Sequence, residues 1–440
     1  MSTTRARRLA ALLLTAAAVL FLGGCALSSP DELYALPRPS EEYVILQKLI
    51  DDEIAAGCEY SAPVSGSYTQ IVHTVDLSGN GTAEAVAYLR DPGGRAKICV
   101  YEYSDGEYRL AQTIYGESGA ISSVEYADMN GDGWLELIVS WQTPNGGDGR
   151  LNVYSLSDFS GSVLLSSSGT AFRLADMDGN GLYELLVLHT GGAEGCSVDM
   201  YSLGPGGMVQ SSAKLSSGVT DVDRLRTGQL SDGVTALFAE GGYGENSIMT
   251  DIFIASDSGI RNITADEQSG ASTTVREYAV YAADINNDRI LEIPVAVPLD
   301  KYSEEAPAYY VFDWYAFDSV GGRKLVFSTY HCYSDGWFLV LPDAMRENLI
   351  VRREDDAFGE HAVVLSHRDP DTGETADVVT IYTLTGDNRS DRARLPERFI
   401  LSEVSGAIYA AQLHDNAPYS REDISDGFDV ILTEWNSGAL

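Results

Sequence analysis

A nine-residue pattern recurs along this 440-residue chain and limits what it can fold into. It reads DLSGNGTAE (76–84), DMNGDGWLE (128–136), DMDGNGLYE (176–184) and DINNDRILE (284–292). Successive copies start 52, 48 and 108 residues apart, so the last interval is two periods. A degenerate copy, GQLSDGVTA (228–236), fills the gap; it keeps Asp232 and Gly233 but has lost the acids at both ends. A short apolar run follows each copy: EAVAYL, ELIVSW, ELLVLH, ALFAE and EIPVAV. An aromatic follows 25 or 26 residues after the motif start (Tyr101, Tyr154, Tyr201, Phe253), with Tyr315 at offset 31. Gly-Gly pairs at 93–94, 146–147, 191–192 and 241–242 punctuate the units. The second unit reads as four strands: ISSVEYAD, ELIVSW, GRLNVYSL and SVLLSSS. A four-strand unit repeated near fifty residues predicts a mainly β fold, a β-propeller of about five four-stranded blades. The unbroken apolar runs suit strands buried on both faces.

Acids or amides at positions 1, 3 and 5 of a tight turn can aim three oxygens at one point. Glycine at position 6 gives the sharp turn, and the carboxylate at position 9 can close the shell. An EF-hand would need Glu at position 12, where Ala87, Val139, Val187 and Val295 stand, with strand-like sequence after them. The constellation resembles the FG-GAP/VCBS repeats of integrin-α-like propellers, over roughly residues 68–333. That resemblance implies calcium loops with Asp128, Asn130, Asp132 and Glu136 as ligands, and Asp176, Asp178, Asn180 and Glu184. Asp76, Ser78, Asn80 and Glu84 match with a weaker ligand in Ser78; Asp284, Asn286, Asp288 and Glu292 match except that Arg289 replaces the turn glycine. The 228–236 loop should hold no ion. Oxygen-only shells favour Ca²⁺, in a structural role, over zinc. Family propellers have seven blades, so six or seven remain open, a sixth needing strands near 59–66 and 336–342.

At the N-terminus, Arg5, Arg7 and Arg8 precede an apolar run from Leu9 to Leu22, then Gly23-Gly24-Cys25. The run is too short to span a bilayer but suits a signal-peptide core. The small pair before cysteine resembles the bacterial lipobox, which implies cleavage after residue 24 and lipidation of Cys25. Residues 1–24 are then a signal peptide and 25–39 a tether, which leaves the chain exported and held at the membrane by its lipid, outside the cytoplasm. Residues 40–57 read as a short helix with Tyr43, Leu46, Ile50 and Ile54 on one face, ended by Gly57. The formal charge of −36 becomes −39 once the three signal arginines are gone. Such a charge disfavours nucleic acid and anionic polymers as partners. Cys58, Cys99, Cys196 and Cys332 form no CxxC pair and read as buried thiols, with one disulfide left open.

The blades are expected over 58–334. Residues 335–440 read as a small α+β domain whose strand–proline–short helix–strand opening loosely resembles PsbP-like domains; two motif-less blades are the rival. Phe428, Ile431 and Trp435 recur at helical spacing. No catalytic motif stands out. His361 and His367 fall on one predicted strand near Asp369, and His331, Asp335 and Trp337 gather at the domain junction, a candidate ligand cleft. The leading expectation is a non-enzymatic, surface-tethered binding or scaffold protein for an envelope protein or glycan. The alternatives are an envelope hydrolase of sugar or phosphate esters, or a small-solute carrier using the junction cleft.

Overall fold

A computed structural model describes residues 41–431, apart from 117, 144–148, 192–194, 205, 279, 357–358 and 416. The expected signal peptide, Cys25, the expected tether and Trp435 lie outside the described residues. Helix α1 (Glu41–Ala55) ends just before Gly57, whose φ of +97° suits glycine.

The first sheet holds β1 (Glu59–Tyr60), β2 (Val72–Val75), β3 (Glu84–Arg90), β4 (Ala96–Ser104) and β5 (Glu107–Tyr115); β1 and β2 both pair with β3. The second is β6 (Ile121–Ala127), β7 (Glu136–Trp141), β8 (Gly149–Ser155) and β9 (Ser162–Gly169). The third is β10 (Ala171–Ala175), β11 (Glu184–His189), β12 (Ser197–Gly204) and β13 (Gly207–Lys214). The fourth is β14 (Arg224–Gln229), β15 (Thr235–Tyr243), β16 (Ser247–Ser256) and β17 (Gly259–Asn262). All pair antiparallel and run β-strand to β-strand in chain order, as propeller-like blades require, except that β1 joins β2 along the same edge of β3. Each second strand is buried on both faces, whereas fourth strands such as β13 keep an exposed side.

The repeat aromatics share one register. Tyr101 pairs with Ala85, Tyr154 with Leu137, Tyr201 with Leu185, Phe253 with Leu237 and Tyr315 with Ile293. Each partner directly follows motif position 9. Tyr315's later offset is therefore absorbed by a longer connection, and the pairing is unchanged.

The fifth sheet departs from the pattern. It runs β18 (Ile293–Pro298), β19 (Tyr310–Phe317), β20 (Arg323–Cys332) and β21 (Trp337–Leu341), then takes in β27 (Phe428–Val430). Pro294 and Pro298 remove ladder donors from β18, and its inner partner is reduced to the single Ala283–Glu292 bridge. After α2 (Asp343–Arg346), a sixth sheet contains β22 (Leu349–Asp355), β23 (Glu360–Arg368), β24 (Thr375–Thr385), β25 (Arg398–Val404) and β26 (Ala407–Leu413). Its order is β22-β23-β24-β26-β25, with α3 (Arg389–Ala393) in the β24–β25 connection; α4 (Arg421–Gly427) precedes β27.

Two expectations are corrected here. The boundary at 335 falls inside the fifth sheet, because β21 and β27 pair with each other and β21 pairs with β20. The stretch after 335 thus supplies two strands to that sheet and one sixth sheet, and forms neither a detached domain nor two more blades. Phe428 opens a strand where a helix was expected; tertiary pairing with Leu339 overrides its local spacing.

The cores run in series. The first two sheets share Tyr88, Ile98, Val124 and Trp141; the second and third share Met129, Val153, Leu185 and Val187. Leu188 and Met200 meet Leu237 and Phe253, and Phe238 and Ile252 meet Ile293 and Phe317. The outer face of the first sheet (Ala85, Ala87, Leu89) is covered by Leu46 and Ile50 of α1. The fifth and sixth sheets pack face to face through Tyr330, Trp337, Leu365 and Ile381, and α3 covers part of the far side through Ala393.

Candidate metal loops

The motif loops join first to second strands, and position 9 always closes the connection. Glu84 pairs with Val75, Glu136 with Ala127 and Glu184 with Ala175 in the ladders, and Glu292 with Ala283 in the isolated bridge. The hairpin ladder thus fixes where the carboxylate enters. All four glutamates are buried, at 0–3% exposure. The carboxylates of Glu84, Glu136 and Glu184 each accept the backbone N–H of position 2 (Leu77, Met129, Met177) at 2.7–2.9 Å.

Position 1 shapes the turn. Asp76 accepts the N–H groups of Asn80 and Gly81; Asp128 those of Asn130, Gly131 and Gly133; Asp176 those of Gly179 and Gly181. Positions 4 and 6 take positive φ throughout, for example Gly131 (+78°) and Gly133 (+85°). The last loop holds the same path with Asn287 (+60°) and Arg289 (+75°), and Asp284 accepts the N–H groups of Asp288 and Arg289. Losing the glycine therefore strains this loop without unfolding it.

In the third loop, one oxygen each from Asp176, Asp178 and Glu184 lie within 4.8 Å of one another. In the second, the Asn130 side-chain nitrogen sits between Asp132 and Glu136 at 3.1 and 3.2 Å, a partial positive charge where the acids converge. Burial pushes the Glu136 and Glu184 carboxyls up to about 7, and their loop aspartates add to this. Glu292 rises to about 8 for the same reasons, and Glu84 also rises. Both Glu292 oxygens are buried without a hydrogen bond of good geometry, and the nearby Glu292 and Ile285 N–H groups offset only part of the rise. A buried carboxylate among other acids is unfavourable unless a cation joins it. An oxygen-only donor set of this kind fits a hard divalent ion.

The degenerate loop is built differently. Leu230 and Val234 close a short turn with Gly233 at φ +81°, and Asp232 accepts the Ser319 N–H from the fifth sheet. Its surviving acid ties two sheets together. Neighbouring loops also touch: Leu135 N–H donates to Leu77 O, and at equivalent positions Leu291 N–H donates to Gln229 O. Sequence reasoning missed the position-2 N–H groups, because a backbone donor leaves no side-chain signal.

The junction residues are packed. Trp337 is fully buried and His331 is buried against Phe312, Trp314 and Phe338. Asp335 is held by Arg353 at 2.9 and 3.0 Å and by His361 Nδ1 at 2.9 Å, which keeps its carboxyl below the usual range despite burial. His331, Asp335 and Trp337 are thus engaged in contacts of their own. His361 and His367 are committed separately, the latter to Met345 O at 3.3 Å. Cys58, Cys99, Cys196 and Cys332 are free thiols.

Comparison with curated proteins finds no match. Residues 76–139, from the first motif loop through the second, match the FG-GAP-like repeat family model, and that stretch carries an FG-GAP-like repeat.

Proposed function

We propose that the chain is an exported, lipid-anchored binding or scaffold protein whose loops at 76–84, 128–136, 176–184 and 284–292 take calcium for stability. The observation that carries this reading is the set of four buried position-9 glutamates, each raised above the usual carboxylate range among other loop acids. Calcium would be held by the side chains at positions 1, 3, 5 and 9, and would supply charge compensation inside the turn.

Cys25 would fix the N-terminus at the membrane surface, leaving the sheets to present their edges to an envelope protein or glycan. The buried carboxylates outside the loops face bases or hydroxyls: Asp313 meets Arg346, Asp335 meets Arg353, Glu240 meets Arg276 and Asp251 meets Ser216. A glycoside hydrolase would call for two acids facing one space. Immobilised protein should retain a partner from envelope extract in calcium and release it to chelator. Identical retention profiles with and without calcium would overturn the reading.

A further inference from the structure

Between the inner edge strands of the second and third sheets lies a cavity of about 580 Å³, within the roughly 300–1,000 Å³ of small-ligand sites. Its walls are β6 and the start of β10, with Ser140 of β7 at one end. The segment 64–67 crosses over β6: Val64 and Ser65 N–H donate to Ser122 O, and Gly66 passes close to Ser123. A Cβ at Gly66 would stand 3.3 Å from Ser123 Cβ and 3.5 Å from a Glu125 oxygen, and its φ is +88°. Glycine is what lets this strap lie so near the wall.

Two kinds of group face the space. Ser122, Ser123, Ser140 and Thr170 bring hydroxyls, which both donate and accept and rotate to suit a ligand. Glu125 and Arg173 bring one carboxylate and one guanidinium, which feel each other's charge across the two sheets. Phe172 also lines the space, its side chain packed on the core shared by the second and third sheets. Among the described residues Glu125 is held by Ser67, whose hydroxyl lies at 3.4 Å, and Arg173 by the Phe172 carbonyl at 2.8 Å, so both keep hydrogen-bonding capacity there. Burial raises the Glu125 carboxyl and lowers the Arg173 guanidinium from its ordinary value while leaving it charged.

We infer that this cavity binds a neutral, polyhydroxylated ligand, one or two sugar units of a glycan. Paired charges of opposite sign disfavour an ionic ligand, while vicinal hydroxyls can accept from Arg173 and donate to Glu125 together. A single carboxylate among the described lining residues suits recognition rather than two-acid hydrolysis. The inference rests on the binding-protein reading and names its ligand class and site.

The test uses the mature chain against an array of neutral gluco-, galacto-, manno- and N-acetylglucosamine oligosaccharides, followed by calorimetric titration of the best binder. Glu125→Gln and Arg173→Met should each weaken binding about ten-fold or more. Ser140→Ala should weaken it less, and Asp377→Asn on the far sheet should leave it unchanged. Equal binding by wild type, Glu125→Gln and Arg173→Met would overturn the site. So would failure of the wild type to bind any of these sugars; if a calcium-dependent envelope partner were still captured, the binding-protein reading would stand without it. Calcium-dependent melting, read on every variant, reports whether the fold is intact.

Discussion

Raising the pH should enlarge the stabilisation that calcium confers, and the buried loop glutamates set the size of the effect. The carboxyls of Glu136 and Glu184 stand at about 7 in the fold, and that of Glu292 at about 8, against an ordinary 4.5. For an acid whose folded pKa is raised, the stability contribution is fully present below about pH 4.5. It is lost as pH rises through about 7. At about 1.4 kcal/mol per pH unit, Glu136 alone costs the ion-free fold about 3 kcal/mol by neutral pH. A bound divalent cation favours the ionised carboxylate and removes that cost. Mass action sets the scale: about 1 mM calcium against a dissociation constant of ~10⁻⁴ M gives ~1.4 kcal/mol per site. Summed over four sites this is ~6 kcal/mol before any coupling between the touching loops, and at about 2 °C per kcal/mol the midpoint moves by ~10 °C. Scanning calorimetry near pH 5, 6.5 and 8, in calcium and in calcium-stripped buffer, measures it. The difference between paired melts cancels His73 and His331, whose burial lowers their pKa to about 4 and about 3. Those two histidines favour the fold above pH 6.5 and destabilise it as pH falls, opposite to the glutamates. Superimposable melts, or a calcium increment that shrinks with rising pH, would refute the reasoning.

Asp128→Ala and Asp176→Ala should each remove about one site's share, ~1.4 kcal/mol, of the calcium increment. Asp232→Ala should leave that increment unchanged, because its carboxylate serves the Ser319 N–H; a lost increment there would show that the degenerate loop takes the ion. Arg289→Gly should stabilise the chain by about 1 kcal/mol in urea unfolding, since Arg289 holds φ +75°; an unchanged or lower midpoint would argue against strain at that turn. Cys25→Ser should abolish metabolic labelling by a fatty-acid analogue, and persistent labelling would remove the anchor from the account.

Much of the sheet architecture was legible because each of the first four sheets is one contiguous repeat. The nonapeptide marks the turn between first and second strands, and the aromatic marks the third. Even the degenerate copy at 228–236 sits where its period places it, with Phe253 opposite Leu237. The fifth sheet was read poorly because its completion is non-local. Trp337–Leu341 pairs with Phe428–Val430 across some ninety residues, and no local pattern encodes that partnership. The same holds for Asp335, Arg353 and His361, which come from three separate strands and turns. The strain carried by Asn287 and Arg289 was also hidden, since composition at a turn does not say whether a missing glycine changes the path or merely burdens it.

The return of β27 to the fifth sheet imposes an order on assembly. As the chain emerges N-terminus first, each of the first four sheets can close as soon as its own fifty or so residues are out. The fifth cannot: the outer edge of β21, with Trp337 and Leu339 beside it, waits for Phe428–Val430. Until then that edge offers unsatisfied backbone groups to any passing strand. Late in synthesis, an aggregation-exposed part of the described residues is thus a sheet whose last strand has yet to arrive.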